Sequence, residues 1–342
     1  MITLYYVKEG LFMEFKIICD IRENLKQNII CNNINFSDHP PKDNIQEIQN
    51  YVIQSGYQCS IFGGIPELIA AVNEHKTFND CIFLNLTDGL DTNCGRVQAP
   101  ILLEILGVKY SGAEPFQSAL VNNKYFSELA VKEKNVLTPS SLLVSNKDYY
   151  DINLLKKLSY PIIIKPNTKG SSIGITQKSI CYDYKYANIL LENLLVTYEE
   201  VLLETFIPGY EVTNFIIGNK GIYPINCPVL EEFHGNMIHQ NEVMSIEDKA
   251  LRTRTFHLCD NILGKNITEK IKQTSIIIKE TLNVNDILRI DYRITENGDI
   301  YFIEANTVPR ICSKNEAGFI CKSNNKPPHY IIKSLLQSVI SR

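Results

Sequence analysis

Two hydrophobic periods interleave along the first third of the chain. The stretches "FKIICDI", "CSIFGG" and "DCIFLNLTDG" are short apolar runs of strand length. Between them, "NIQEIQNYVIQSGY", "PELIAAVNEHK" and "QAPILLEILG" carry apolar residues at helical spacing. Gly56 and Gly107 close two of these helices, and Pro66 opens the third. Strands alternating with helices predict a Rossmann-like parallel α/β sheet whose strand ends host a ligand. From about Ala113 the texture changes. The stretch "SALVNNKYFSELAVKEKNV" reads as one helix, and "YPIIIKPNTKGSSIGITQ" as two strands joined by a Gly-Ser loop. A helix at "YKYANILLENLLVTYEE" and a strand at "EVLLETFIP" complete a small α+β unit. Longer strands, an irregular stretch over 231–254 and helices at "TEKIKQTSIIIKETLN" and "YIIKSLLQSVI" follow. Three units are expected, at 1–113, 114–203 and 204–342.

The last strands, "RIDYRITENGDIYFIEANT", hold an Asn-Gly pair between alternating residues, a hairpin signal. A two-residue turn at Asn297-Gly298 sets Asp291 opposite Glu304 and Arg289 opposite Asn306, all on one face. Ile290, Tyr292, Ile294, Tyr301, Ile303 and Ala305 then form the core face. Like charges directly opposite each other destabilise a sheet. A Mg²⁺ ion held by Asp291, Glu304 and Asn306 converts that repulsion into shared coordination by hard oxygen ligands. Arg289 beside it is suited to stabilising developing negative charge. The plainer alternative is a salt-bridge cluster of Arg289, Asp291, Arg293 and Glu304.

Composition narrows the function classes. The 342 residues are 44% hydrophobic and 21% charged, a globular balance long enough for several units. A net charge of -4 gives no bulk drive towards nucleic acid or an anionic membrane. The chain shows no signal-peptide pattern and no apolar run long enough to span a bilayer. The ten cysteines form no C-x-x-C pair, and the six histidines are scattered. Reduced thiols in a cytoplasmic protein are therefore expected, without a zinc site. Met13 is an alternative start, because the first strand follows it.

Two further motifs bear on chemistry. In "KPNTKGSSIG", Gly170 and Gly174 allow close backbone approach, and Ser171, Ser172 and Lys165 suit phosphate oxygens. Alone, this loop also reads as a polar surface hairpin. In "LLETFIPGYEV", Glu204 ends an apolar strand and Glu211 follows a Pro-Gly turn. Backbone after such a strand can pair with an adenine edge, and a carboxylate can hold ribose hydroxyls. Two solvated glutamates are the plainer reading.

Taken in order, "LLEILGVKYSG", "VNNKYFSELA", "IIIKPNTKGSSIG", "VLLETFIPGYEVT" and "LRIDYRI…YFIEANTVP" resemble the ATP-grasp fold, and within it the D-alanine–D-alanine ligase family. The likeness spans most of the chain. It implies that Lys124 and Lys165 contact ATP phosphates and that Ser171 and Ser172 belong to the phosphate loop, Ser171 also near the first substrate. It implies that Glu204, Thr205 and Ile207 meet adenine and Glu211 meets ribose. It implies that Asp291, Glu304 and Asn306 hold magnesium, with two ions and Mn²⁺ as a substitute. Arg289 would steady the tetrahedral intermediate. "MSIEDK" resembles the family's mobile loop, making Lys249 the lysine that reaches the transferred phosphoryl group. The implied reaction joins an amino acid or related carboxylate to an amine through an acyl phosphate. A homodimer is the implied assembly.

The amino-acid half departs from the family pattern. The first strand ends in "CDIREN", leaving Glu23 as the candidate for the first substrate's ammonium. The usual H-G-x-x-G-E-D-G stretch is "NLTDGLDTNCGRVQ", and the loop tyrosine after Lys249 is Ala250. Arg310 stands where the family has glycine, and Asn315 where a serine binds the second substrate's carboxylate. The expectation is a ligase with altered substrates, Arg310 favouring an anionic acceptor. A genuine D-alanine–D-alanine ligase of peptidoglycan synthesis, and an ATP-binding module without turnover, are the alternatives.

Overall fold

The computed structural model describes residues 13–25, 39–90, 94–146, 150–245, 248 and 254–342. Three sheets follow one another along the chain. The first is parallel, in the order β2 (Gln58–Gly63), β1 (Glu14–Ile18), β3 (Cys81–Asn85), β4 (Lys109–Tyr110). Helices cover both faces of the central strands, and of these β1 still carries the Glu14–Lys16 ion pair, 2.7 Å long, on one side. Phe15 and Ile17 pack with Ile45 and Val52 of helix Lys42–Gln54. Ile18 and Phe83 pack with Leu68 and Leu103 of helices Ile65–Asn73 and Gly95–Ile105 on the other side.

The second sheet is antiparallel, in the order β5 (Ser141–Ser145), β8 (Glu200–Thr205), β6 (Ile162–Pro166), β7 (Ile180–Cys181). Helix Tyr184–Thr197 buries Ala187 and Leu191 against one face. The third sheet runs β12 (Thr255–Leu258), β10 (Ile222–Glu232), β9 (Gly209–Asn219), β13 (Ile287–Ile294), β14 (Ile300–Asn306), with β11 (Ile238–His239) pairing to the start of β9. Helix Lys265–Thr281 covers one of its faces through Ile271 and Ile278. The first and third sheets share a core: Phe15 and Ile17 join Phe215, Ile217 and Leu335 in one cluster. A Cβ on Gly112, after β4, would lie 3.8 Å from the Thr307 carbonyl, so the parallel strand ends abut the end of β14.

The structure corrects the expected pattern in three places. The single helix predicted around Lys124 is two, Pro115–Asn122 and Lys124–Lys132. Asn123 leaves helical geometry, and its side chain accepts the Phe126 N–H as an N-cap. The strand expected after the Gly-Ser loop shrinks to Ile180–Cys181. The hairpin pairs Arg289 with Asn306 and Asp291 with Glu304 as expected, but Tyr292 pairs with Phe302 and Ile294 with Ile300. Its loop has three residues, not two: Thr295 N–H donates to the Asp299 carbonyl, with Gly298 at φ 87°. A bulge at Ile303 absorbs the extra residue. Phe302 is therefore fully buried, while Tyr301 and Ile303 leave the core face.

Gly209, the first residue of β9, has φ 145°, and a Cβ there would sit 2.1 Å from the Ile294 carbonyl oxygen. Gly209→Ala is expected to destabilise the protein by about 2 kcal/mol or more through strain and collision. Urea unfolding checks this, and an unchanged midpoint contradicts it.

Candidate active site

A cleft enclosing about 850 Å³ opens between the second and third sheets. Its apolar wall comprises Ile163, Ile175, Phe206, Ile207, Val243 and Met244. Its charged wall includes Lys124, Lys165, Glu204, Glu211, Asp291 and Glu304. Ser172 and Thr205 also line it. A flat apolar slot beside alternating charges suits a ligand with an aromatic end and a polyanionic end.

Each charge is aimed by its element. In β6, Lys165 sits two residues beyond Ile163, which pairs with Glu204 on β8. The Lys165 ammonium reaches the Glu204 carboxylate at 2.7 Å, with both side chains buried. Lys124 begins its helix directly after the Asn123 break. Its ammonium donates to the carbonyls of Lys169 at 2.6 Å and Asn167 at 3.4 Å, and lies 3.4 Å from Glu304. Burial pulls the Lys124 ammonium below its ordinary range, and Glu304 opposes that. The Gly-Ser loop holds Ser171 and Ser172 at positive φ, 49° and 60°, which non-glycine residues rarely adopt. The Ile175 N–H closes this turn on the Ser172 carbonyl at 3.0 Å.

The hairpin face carries its own cations. Arg289 Nη2 lies 2.8 Å from Asp291, and Nη1 lies 3.4 Å from Glu316. The Thr213 hydroxyl on β9 donates to the other Asp291 oxygen. Burial pushes the Asp291 carboxyl up, Arg289 pulls it down, and Glu304 adds to the upward push. Arg293 binds Glu211 at 2.9 Å and anchors it to the Gly209 and Glu242 carbonyls, both at 3.3 Å.

Among the described residues no three His, Cys, Asp or Glu side chains gather as a metal site. The hairpin set has two carboxylates, and its third member, Asn306, is an amide. Asn306 Oδ1 already accepts the Val308 N–H at 2.9 Å, which leaves one lone pair. Three hard oxygens on one face still fit a magnesium ion that keeps water ligands.

Ser171, unlike Ser172, does not line the cleft, and Glu23, Asn315 and Arg310 also lie off its wall. Glu23 is exposed, and its carboxylate accepts the Lys42 N–H at 3.0 Å, serving a helix start. Asn315 is spent as an N-cap: Oδ1 accepts from Ala317, and Nδ2 donates to the Arg310 carbonyl at 2.8 Å. Arg310 is exposed and close enough to influence the Cys19 thiol at the end of β1. Arg289 and Asn306 adjoin the cleft through Asp291 and Glu304 without lining it. Lys249 falls outside the described residues.

Sequence reading missed Glu128, Thr213, Glu231 and Glu316. Glu231 pairs with Glu211 across β9 and β10 and meets Arg254 at 3.0 Å. With Glu211 and Thr213 it forms a polar stripe across apolar strands, and that alternation was the available signal. Glu128 is buried with both carboxyl oxygens unpartnered, as is Glu204 Oε1. One proton held between these two carboxyls joins Glu128 to Glu204 and leaves the second Glu128 oxygen without a partner. Burial first, then the neighbouring Glu204, pushes the Glu128 carboxyl well up.

Comparison with known proteins agrees in sequence and in shape. The model of the D-ala D-ala ligase C-terminus matches residues 127–337. The D-alanine--D-alanine ligase of Aquifex aeolicus (strain VF5) is 30% identical over 255 residues, 74% of this chain and 78% of that protein. That of Desulforamulus reducens is 30% identical over 222 residues, 63% of this chain and 67% of that protein. The fold matches the Bacillus anthracis D-alanine--D-alanine ligase complexed with ATP, at TM-score 0.67, 16% identity and coverage of 96% and 97%. It also matches the VanG D-Ala:D-Ser ligase of Enterococcus faecalis, at TM-score 0.71, 16% identity and coverage of 95% and 99%.

The shared proton predicts a pH dependence. Unfolded, Glu128 titrates near 4.5; folded, it keeps its proton to higher pH. The folded state then binds more protons, so stability falls as pH rises above about 4.5, by at most about 1.4 kcal/mol per unit. Glu128→Gln is expected to flatten that fall and to be the more stable protein at neutral pH. Urea unfolding at about pH 5.5 and about pH 8 tests this, and parallel curves for the two proteins contradict it.

Proposed function

The chain belongs to the D-alanine–D-alanine ligase family, and we propose that it joins two amino acids, or related carboxylate and amine substrates, through an acyl phosphate. It is an ATP-dependent carbon–nitrogen ligase with the ATP-grasp fold. The observation that carries the reaction is the Asp291–Glu304 pair, two opposed carboxylates held by Arg289 and Lys124.

In this reading the apolar slot takes the adenine ring, and Thr205 and Ile207 meet its edge beside Glu204. Glu211, fixed by Arg293, takes ribose hydroxyls. Lys124, Lys165 and the serine loop meet the phosphates. Asp291, Glu304 and Asn306 hold magnesium, in our reading two ions, which neutralise phosphate charge when bound. The first substrate's carboxylate attacks the γ-phosphorus of ATP, and ADP leaves. The amine then attacks the acyl carbon, phosphate leaves, and the amine's proton is lost to water. Arg289 stabilises the oxyanion formed at that carbon. Lys249 adds a cation near the transferred phosphoryl group. Free thiols among the described cysteines are consistent with a reducing cytoplasm.

Substrate choice differs, we infer, from two D-alanines. Asn315 has its Oδ1 and one of its two Nδ2 donors committed to the protein, Glu23 serves a helix start, and Arg310 adds an exposed cation. These features support an anionic acceptor.

Incubation with Mg²⁺-ATP and pooled L- and D-amino acids, read by ADP release and product mass, tests both statements. Glu304→Gln is expected to lower turnover by roughly a hundredfold or more. Product from D-alanine alone removes the altered-substrate reading. ADP-free binding of nucleotide removes the ligase reaction and leaves a binding module. Arg310→Gly is expected to lower preference for an acidic acceptor by about tenfold, and an unchanged preference contradicts its role.

A further inference from the structure

The Arg289 guanidinium is gripped at two corners by two carboxylates. Nη2 meets Asp291 at 2.8 Å and Nη1 meets Glu316 at 3.4 Å. A guanidinium has five donors, so three remain, among them a buried Nε–H with no partner. Asp291 cannot be the lasting anchor. One of its oxygens takes the Thr213 hydroxyl, and its face is the one that meets a cation. Once Asp291 turns its charge to that ion, its hold on Arg289 weakens.

Glu316 is not among the candidate metal ligands. It opens helix Glu316–Ser323, where the helix N-terminus favours a carboxylate. It is 3% exposed and its Oε2 has no partner, a costly arrangement for structure alone. Its neighbour Asn315 fixes that helix start by capping Ala317. Glu316 also acts on Arg254, so the guanidinium it grips belongs to a chain of alternating charges ending at Glu231.

We propose that Glu316 is a positioning residue of the ligase reaction, holding Arg289 so that its uncommitted donors face the acyl carbon while Asp291 serves the metal. This rests on the ligase reading above. The grip acts on an oxyanion that exists only during acyl transfer, so its loss lowers turnover and spares nucleotide binding.

The test compares Glu316→Gln, Glu316→Asp, Arg289→Lys and the double variant Arg289→Lys/Glu316→Gln. Kinetics are read as kcat against KM for Mg²⁺-ATP. Glu316→Gln is expected to lower kcat by about tenfold to a hundredfold, the worth of a charge-assisted bond, with KM for Mg²⁺-ATP within about twofold. Glu316→Asp recovers part of kcat, and the double variant is no worse than Arg289→Lys. An unchanged kcat, a loss confined to KM, or a further full loss in the double variant overturns the proposal. A second readout needs no turnover: the Arg289 Nε–H resonance, identified by its loss in Arg289→Lys. With Mg²⁺-nucleotide bound it is expected to stay resolved in the wild type and Glu316→Asp and to merge with solvent-exposed arginines in Glu316→Gln. A protein without ligase turnover removes the ligase reading, and an Arg289 resonance that Glu316→Gln leaves unmoved removes this one.

Discussion

Two carboxylates stand face to face on adjacent strands, and much of the surrounding structure answers that placement. Asp291 and Glu304 are direct partners in the β13–β14 register. On an exposed sheet such a pair costs up to about 1 kcal/mol. Burial removes the water that screens it, so the repulsion grows. The fold offsets it from two directions: Lys124 reaches Glu304 from a helix outside the sheet, and Arg289 reaches Asp291 from its own strand. Neither contact neutralises both acids together. A divalent ion on that face would, as the proposed ligase reaction requires.

Placing those cations needs breaks in regular structure. Lys124 reaches Glu304 because the helix stops at Asn122 and restarts after the Asn123 cap. A continuous helix would set residue 124 at a different angle. The serine loop holds two residues at positive φ. Gly209 admits a backbone approach that no side chain allows, and its carbonyl helps hold Arg293 beside Glu211. Local strain in these places is offset by the packed cores of the second and third sheets.

The sheets, most helices and the pairing of the four central hairpin residues were legible because each rests on local periodicity. The turn was not. Asn297-Gly298 reads as a two-residue loop, yet that register puts Phe302 on the polar face. An apolar side chain of that size was the clue to a bulge at Ile303, since Phe302 is fully buried. Glu128 and Glu316 were illegible for a different reason. Each acquires its meaning from a partner on a remote element, Glu204 or Arg289, and no spacing rule connects them.

The same contrast separates the two halves of the cleft. Several positions proposed for the nucleotide, Lys165, Glu204, Thr205 and Glu211, lie on strands, whose apolar pattern the sequence shows. Thr205 ends β8, Ile207 lies in the link to β9 and Glu211 lies in β9, and the structure brings all three to the cleft wall. Substrate-facing candidates lie at loop and helix ends, where a polar residue has competing local work. Glu23 meets a helix start and Asn315 caps one. A polar residue at such a place is a weak indicator of ligand contact, because backbone groups at helix ends need partners whatever the protein binds. An unpartnered buried polar atom says more, since its desolvation cost is left uncompensated. By that criterion Arg289 and Glu316, the latter one residue beyond Asn315, stand out beside the cleft.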